Sequence, residues 1–474
     1  MIEPAGGPPA QSSGTRARFP RRDMRRHDQA KFEGLVAEAV AHHRARHFEA
    51  AEVGYRAALG ISPGHPAVTH NLGVLAVARG DLRSAMRCFE DVIATEPGYA
   101  PAHFNRGLAL QELGRPREAL QAYGRVIVLE PDHYDAHRAL GFLWLAERDR
   151  GRALDHFART YELRRGEDRT DRALRSMTWS SRTKLLHDAG QFAYLAGRHA
   201  DRQRFEVLAG LYARLAQACP DRPAPLDDAL RDALGEEYNG PINACDAPEA
   251  PGGAVNERLN TAAILRGFES ADGSVFFDAL LRPAALANLK RHLLESTIWH
   301  EFAHIDGFVA SYLEDGLACP VLLQIADQLR DTFRALLDGR PLTQAWAFKG
   351  VKNGASIGAH ADDGAISVNF WMTSDDANLA HGRGGMVLCK IPPPADWRNG
   401  SYDADRAKAE AFLEANEAAA LRVPYRENRA VLFRSNLTHR SDAPQFAAGY
   451  ENQRINITLL YGGKDETARK RETA

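Results

Sequence analysis

Pro63, Pro97 and Pro131 stand 34 residues apart, and three further series keep the same interval: Gly73, Gly107 and Gly141; Ala51, Ala85, Ala119 and Ala153; Tyr55, Phe89, Tyr123 and Phe157. Four independent series on one period demand a stack of like units, each one supersecondary element long. The residue types specify the unit. Small residues at two positions let paired helices cross closely, the aromatic fills the gap they leave, and the proline ends the second helix. Such units bury their apolar faces only against one another, and stacking them generates a concave groove suited to a polypeptide. His70, Asn71, Asn105 and Arg106 immediately precede the repeated glycines and are expected on the first helices, facing that groove.

This pattern resembles the tetratricopeptide repeat, and it implies an all-α solenoid of four repeats over 32–167. Residues 1–31 precede it as a Pro/Gly/Ser-rich tail with six arginines between Arg16 and Arg26, expected to be disordered. A helical cap over 168–219 would cover the last repeat; His187 and Asp188 within it read as a structural pair rather than ligands. Clustered prolines, from Pro220 to Pro251, then mark an irregular connector over 220–265.

From 266 to 463 the pattern changes, with 464–474 as a terminal tail. "VFFDALLRPAALANLKRHLLEST" reads as a strand followed by a helix and "PVLLQIADQLRDTFRALL" as a second helix. Short β-type runs follow, "AWAFKGV", "AISVNFWMT", "GMVLCKI", "RAVLFRS" and "INITLLYG", separated by turn residues. Many short strands with Gly and Asn turns point to an antiparallel barrel or jelly roll with flanking helices. On these runs His360 and Asp362 lie two apart, and His439 follows 79 residues later at a strand end. Two imidazoles and one carboxylate can cap one face of Fe(II) and leave the other open. Arg454, on the last strand, could fork onto a carboxylate.

A competing pattern lies at "IWHEFAHIDG", where His300, Glu301 and His304 spell H-E-x-x-H. On a helix this places two imidazoles one turn apart for zinc. Position 310, where the longer form of the motif has its third ligand, is Ala310, so the segment is read as a flank of the barrel, with Trp299 and Phe308 packing against it.

The segments "WAFKG", "HADDGAISVNFWMT", "GRGGMVLCKIPPP", "VPYRENRAVLFRSNLTHRSDAP" and "GYENQRINITLLYG" together resemble the 2-oxoglutarate and Fe(II)-dependent dioxygenases of the double-stranded β-helix fold, in the prolyl-hydroxylase-like branch found fused to tetratricopeptide repeats in bacteria. The resemblance covers about 270–463. It implies His360, Asp362 and His439 as iron ligands, Arg454 as partner of the distal carboxylate of 2-oxoglutarate, and Asn369 in the same pocket, with no catalytic side chain beyond the metal centre. It further implies Fe(II), 2-oxoglutarate and O2 as cofactors and hydroxylation as the reaction. The interval from His439 to Arg454 is longer than the family's usual spacing, which leaves Arg434 and Arg440 as substitutes. The expected substrate is a peptide or protein docked by the repeats. The alternatives are a small-molecule hydroxylase whose repeats serve assembly, an H-E-x-x-H zinc protease, and a non-catalytic repeat adaptor.

Net charge is −2, so no global field recruits nucleic acid. No apolar run reaches membrane-spanning length, and the N-terminus lacks the hydrophobic core of a signal peptide. The five cysteines are scattered without C-x-x-C pairing, as expected of reduced thiols in a cytoplasmic protein.

Overall fold

The computed structural model describes residues 26–166, 177–303, 307–394 and 406–463. The N-terminal tail before Arg26, the start of the helical cap, His304 and the 464–474 tail lie outside the described residues. The chain forms two compact units, 1–143 and 144–474.

The first unit is a run of antiparallel helix pairs: α1 (Arg26–Arg44) with α2 (Phe48–Ile61), α3 (Pro66–Ala78) with α4 (Leu82–Thr95), α5 (Ala100–Glu112) with α6 (Pro116–Leu129), and then α7 (Tyr134–Ala146), whose last turn falls in the second unit. The periodic residues do what their types dictate. Ala51, Ala85 and Ala119 are wholly buried, as are Tyr55, Phe89 and Tyr123. The glycine series answers the aromatic series directly. A Cβ at Gly107 would stand 2.7 Å from Cε1 of Tyr123, and one at Gly73 would meet Phe89 in the same way, so the ring of the second helix lies where the first helix has no side chain.

His70, Asn71 and Asn105 are buried, contrary to the groove-facing position expected from sequence. Asn105 Nδ2 donates to His70 Nε2 at 2.7 Å, which ties one repeat to the next. A buried polar side chain must find a partner, and for Asn105 the neighbouring repeat supplies it. Arg106 keeps partial exposure and lies 3.8 Å from Glu90.

The second unit opens with α8 (Arg150–Arg165), which carries the last members of two series, Ala153 and Phe157, both buried. A small antiparallel pair, β1 (Trp179–Ser180) with β2 (Ala224–Pro225), brackets the helices α9 (Arg182–Ala196) and α10 (Arg202–Leu215). Two antiparallel sheets follow. The larger has six strands in the order β3 (Ser274–Phe277), β9 (Ala430–Arg434), β6 (Ile366–Trp371), β11 (Ile455–Tyr461), β5 (Leu342–Gly350), β4 (Phe308–Tyr312). The smaller has the order β10 (His439–Ser441), β7 (Met386–Cys389), β8 (Ala420–Val423). Side chains of both sheets share one core, with Trp371, Val431 and Phe433 from the larger and Met386, Leu388 and Val423 from the smaller. Helices α11 (Thr261–Ser270), α12 (Pro283–Glu295) and α13 (Pro320–Thr332) flank the larger sheet, which α13 meets where Tyr461 Oη donates to Ala326 O at 2.8 Å. The last helix, α14 (Arg406–Ala415), packs through Ala409 and Leu413 against Ala359, Val387 and Cys389. No helix among the described residues is long and apolar enough to cross a membrane.

Candidate metal centre

Successive side chains of a strand alternate between its faces, so a polar residue at every second position of an apolar strand marks a lined interior. β6 and β11 are buried along their whole length, yet Ser367 and Asn369 on the one and Asn456 and Thr458 on the other are polar. The strands pair with Asn369 opposite Thr458, and Asn369 Nδ2 donates to Thr458 Oγ1 at 2.7 Å. Trp346 and Phe348 of β5 stand opposite Thr458 and Asn456. Arg454 extends the same row by one step.

The segments carrying His360 and His439 run side by side across the mouth of this interior. His360 and His439 form a reciprocal backbone pair, with N–H···O distances of 3.0 and 2.8 Å. Asp362 N donates to Ser435 O, and Ser441 N to Ile357 O, on either side of it. His439, expected at the end of the strand that became β9, in fact opens the separate strand β10. This pairing brings His360, Asp362 and His439 together: one ligand atom from each lies within 4.8 Å of the others, the sole such trio of His, Cys, Asp or Glu among the described residues.

The hydrogen bonds fix how the trio is aimed. His360 Nδ1 lies 2.8 Å from Gly358 O and His439 Nδ1 lies 3.0 Å from Leu437 O. A carbonyl can only accept, so each Nδ1 carries a proton, which leaves Nε2 of a neutral ring with a lone pair. Both Nε2 atoms face the Asp362 carboxylate, at 3.7 Å from His360 and 3.8 Å from His439. With neutral rings, three acceptors converge there, an arrangement that suits a cation. Ser367 Oγ donates to Asp362 Oδ2 at 2.7 Å and itself contacts Ser435 Oγ at 2.9 Å, which orients the carboxylate. Burial pushes the His439 imidazole down to about 4, and so keeps it in the neutral form that a metal ligand needs. His360 keeps partial exposure on the open side.

Arg454 is buried on the same interior. Its Nε donates to Gly384 O at 2.9 Å, Nη2 to Gly385 O at 3.1 Å and Nη1 to Asn456 Oδ1 at 3.2 Å. No carboxylate pairs with it among the described residues, and burial lowers its pKa to about 10. Gly385 is required for this: a Cβ there would overlap the carbonyl oxygen of Val423. Asn369 Oδ1 is a buried acceptor left without a partner among the described residues. The cavity lined by His360, Asp362, His439, Asn369, Trp346 and Arg454 is about 30 Å3, room for roughly one water. Across Arg454 lies a larger hollow of about 190 Å3 between the loops at 350–355 and 444–449. The two substitutes for Arg454 are engaged elsewhere. Arg440 pairs with Glu410 at 2.7 Å, and Arg434 lies against Gly273 at the β3 edge.

The described part of the H-E-x-x-H segment, residues 300–303, is not helical: α12 ends at Glu295, and Glu301 forms an isolated bridge with Ala310. His300 is buried and spends both nitrogens on structure: Nε2 lies 2.9 Å from Tyr161 Oη and Nδ1 3.1 Å from Asn239 Oδ1. His187 and Asp188 are also buried, and Asp188 binds Lys184 Nζ at 2.6 and 2.7 Å.

Comparison with known proteins adds the following. Residues 100–133 match the tetratricopeptide repeat family, which places the match on α5, α6 and the turn after them. No curated protein matches the chain. Among solved structures, a Thermobaculum terrenum O-GlcNAc transferase mutant is 24% identical with a TM-score of 0.27, over 30% of this chain and 28% of its own. MamA of Desulfovibrio magneticus RS-1 is 24% identical over 30% of this chain and 81% of its own, with a TM-score of 0.28. The first tetratricopeptide domain of Spaghetti (RPAP3), bound to an HSP90 peptide, is 22% identical over 25% of this chain and 97% of its own, with a TM-score of 0.25. The chain thus spans little more than a quarter of the transferase's length, and superpositions this partial carry no argument about function.

Proposed function

We propose that the sheet unit is a 2-oxoglutarate- and Fe(II)-dependent dioxygenase of the double-stranded β-helix type, and that it hydroxylates a peptide or protein captured by the repeats. One observation carries the reading: two imidazoles with their Nδ1 atoms tied to backbone carbonyls, and one serine-anchored carboxylate, turn their remaining ligand atoms toward a common point. This donor set fits a ferrous ion, with two nitrogens and one oxygen on one face and an exposed side left for other ligands. When bound, the ion and a 2-oxo acid supply oxidative decarboxylation of that acid coupled to hydroxylation of a C–H bond.

The chain's own residues do the rest. His360, Asp362 and His439 hold the metal. Arg454, a buried cation with no carboxylate in ion-pair contact among the described residues, takes the far carboxylate of the 2-oxo acid through the guanidinium protons that Gly384, Gly385 and Asn456 leave uncommitted. Asn369 Oδ1, without a partner, offers an acceptor on the same wall. Trp346 and Phe348 exclude water from the interior. The hollow of about 190 Å3 beyond Arg454 gives room for part of a substrate. The solenoid supplies remote binding energy, the general role of stacked helical repeats with a concave face.

Metal titration tests the assignment. The wild-type chain is expected to bind one Fe(II), or Co(II) as its air-stable substitute, with Asp362→Ala and His439→Ala each abolishing binding. Full metal content in both variants would place the ion elsewhere. A wild-type chain that binds none would leave a repeat adaptor as the function.

A further inference from the structure

We propose that Glu410 on α14 is a positioning residue that straps together the two segments carrying the metal ligands; the inference rests on the metal-site reading above. Its carboxylate spans both segments. Oε1 accepts from the backbone N–H of Ala359 at 2.7 Å, and Oε2 accepts from Arg440 Nη1 at 2.7 Å. Ala359 immediately precedes His360, and Arg440 immediately follows His439. The strap therefore grips each ligand segment one residue from its imidazole.

The grip is needed because the pairing beneath it is short. His360 and His439 exchange two backbone hydrogen bonds, and beyond them the segments are joined by single backbone bonds from Asp362 to Ser435 and from Ser441 to Ile357, with Ser356 Oγ also donating to Ser441 O. His360 is also the most exposed of the three ligands, with a side chain 31% accessible against 6% for His439 and 3% for Asp362. Its ring is oriented by Nδ1 bonding to Gly358 O, one residue before Ala359, so fixing the Ala359 amide fixes the peptide whose carbonyl aims the imidazole. A Cβ built on Gly358 would stand 3.3 Å from Glu410 Oε1, so the carboxylate lies against this peptide. α14 is well placed to hold the strap, since Ala409 and Leu413 beside Glu410 are buried against Ala359, Val387 and Cys389. Partners that orient ligands without touching the metal typically contribute 10- to 100-fold in metal affinity.

Co(II) titration of the full chain, with thermal melting of the same samples, tests the strap. Glu410→Ala is expected to weaken Co(II) binding about tenfold or more while the melting temperature of the metal-free chain moves little. Glu410→Gln keeps one acceptor, for the Ala359 amide, but its amide nitrogen cannot accept from Arg440, so one arm is lost with the charge. Its affinity should fall between those of wild type and Glu410→Ala. Wild-type affinity in Glu410→Ala would overturn the proposal. So would a loss in Glu410→Gln equal to that in Glu410→Ala, since holding the Ala359 amide would then contribute nothing. If Glu410→Ala does not fold, Arg440→Met decides: it breaks one arm and leaves the apolar seat of α14 intact, and unchanged affinity there refutes a two-armed strap. A wild-type chain that binds no Co(II) fails at the earlier step, and overturns the metal site and the strap together.

Discussion

Replacing Arg454 with Met keeps most of the side chain's bulk and removes its charge, which isolates what the guanidinium contributes. In the free chain the group makes three hydrogen bonds, two to backbone carbonyls and one to Asn456, and has no carboxylate partner among the described residues. Burial already costs it, since its pKa is lowered to about 10. An anion arriving beside it is therefore paired in a desolvated setting. Removing one member of such a buried charge pair costs about 2–5 kcal/mol. At 1.4 kcal/mol per decade, the dissociation constant for 2-oxoglutarate should rise on the order of 30- to 3,000-fold. The assay is calorimetric titration of the Co(II)-loaded chain with 2-oxoglutarate, beside a Co(II) titration of the variant. Metal affinity should stay near wild type, because Arg454 is not a metal ligand. A change in 2-oxoglutarate affinity of less than threefold would refute the assignment of Arg454 and send the search for the anion's partner elsewhere in the interior.

Other outcomes follow from single contacts. Gly385→Ala should weaken 2-oxoglutarate binding together with stability, since its Cβ would overlap Val423 O and push away the carbonyl that holds Arg454; an intact melting curve and affinity would contradict this. Phe89→Ala should cost the solenoid about 3–5 kcal/mol in denaturant unfolding, as expected for a large core aromatic packed where Gly73 leaves space. Burial lowers His70 to about 4 from its ordinary 6.5, and its Nε2 must stay unprotonated to accept from Asn105. Between those values the unfolded chain binds more protons, so solenoid stability should be complete above about pH 6.5 and fall as pH drops toward 4, a dependence that His70→Gln should flatten in urea melts at several pH values. His300→Ala should lower thermal stability without changing metal content, because the ring bonds Tyr161 and Asn239; loss of a bound zinc ion would revive the protease reading.

The parts of the fold legible in the sequence were those written by periodicity. The alanine, glycine and aromatic series each report one steric requirement repeated along the chain, and the Gly107–Tyr123 contact shows why two of them travel together. The apolar runs of β3, β5, β6, β7, β9 and β11 were equally plain. β4, β8 and β10 were not, since they are held by pairing with their neighbours in the sheet. Within the site, His360, Asp362 and His439 could be singled out by residue type and order, and the geometry brings them together. Their supporting residues could not. Ser367, Asn456 and Thr458 look like ordinary polar residues until β6 and β11 prove buried on both faces; the alternation in "RINITLL" was the available signal. Glu410 gave no signal at all, being one glutamate in a charged helix whose role depends on where α14 packs. The opposite error occurred at His70 and Asn105, where polarity suggested a ligand and the real partner was the adjacent repeat.

The most direct measurement is turnover. The chain, supplied with Fe(II), O2 and 2-oxoglutarate and with candidate peptides, should consume O2 and form succinate in equal amounts. Asp362→Ala should do neither. Wild-type chain that binds Fe(II) yet forms no succinate above the Asp362→Ala background, at saturating 2-oxoglutarate with or without peptide, would contradict the oxygenase account.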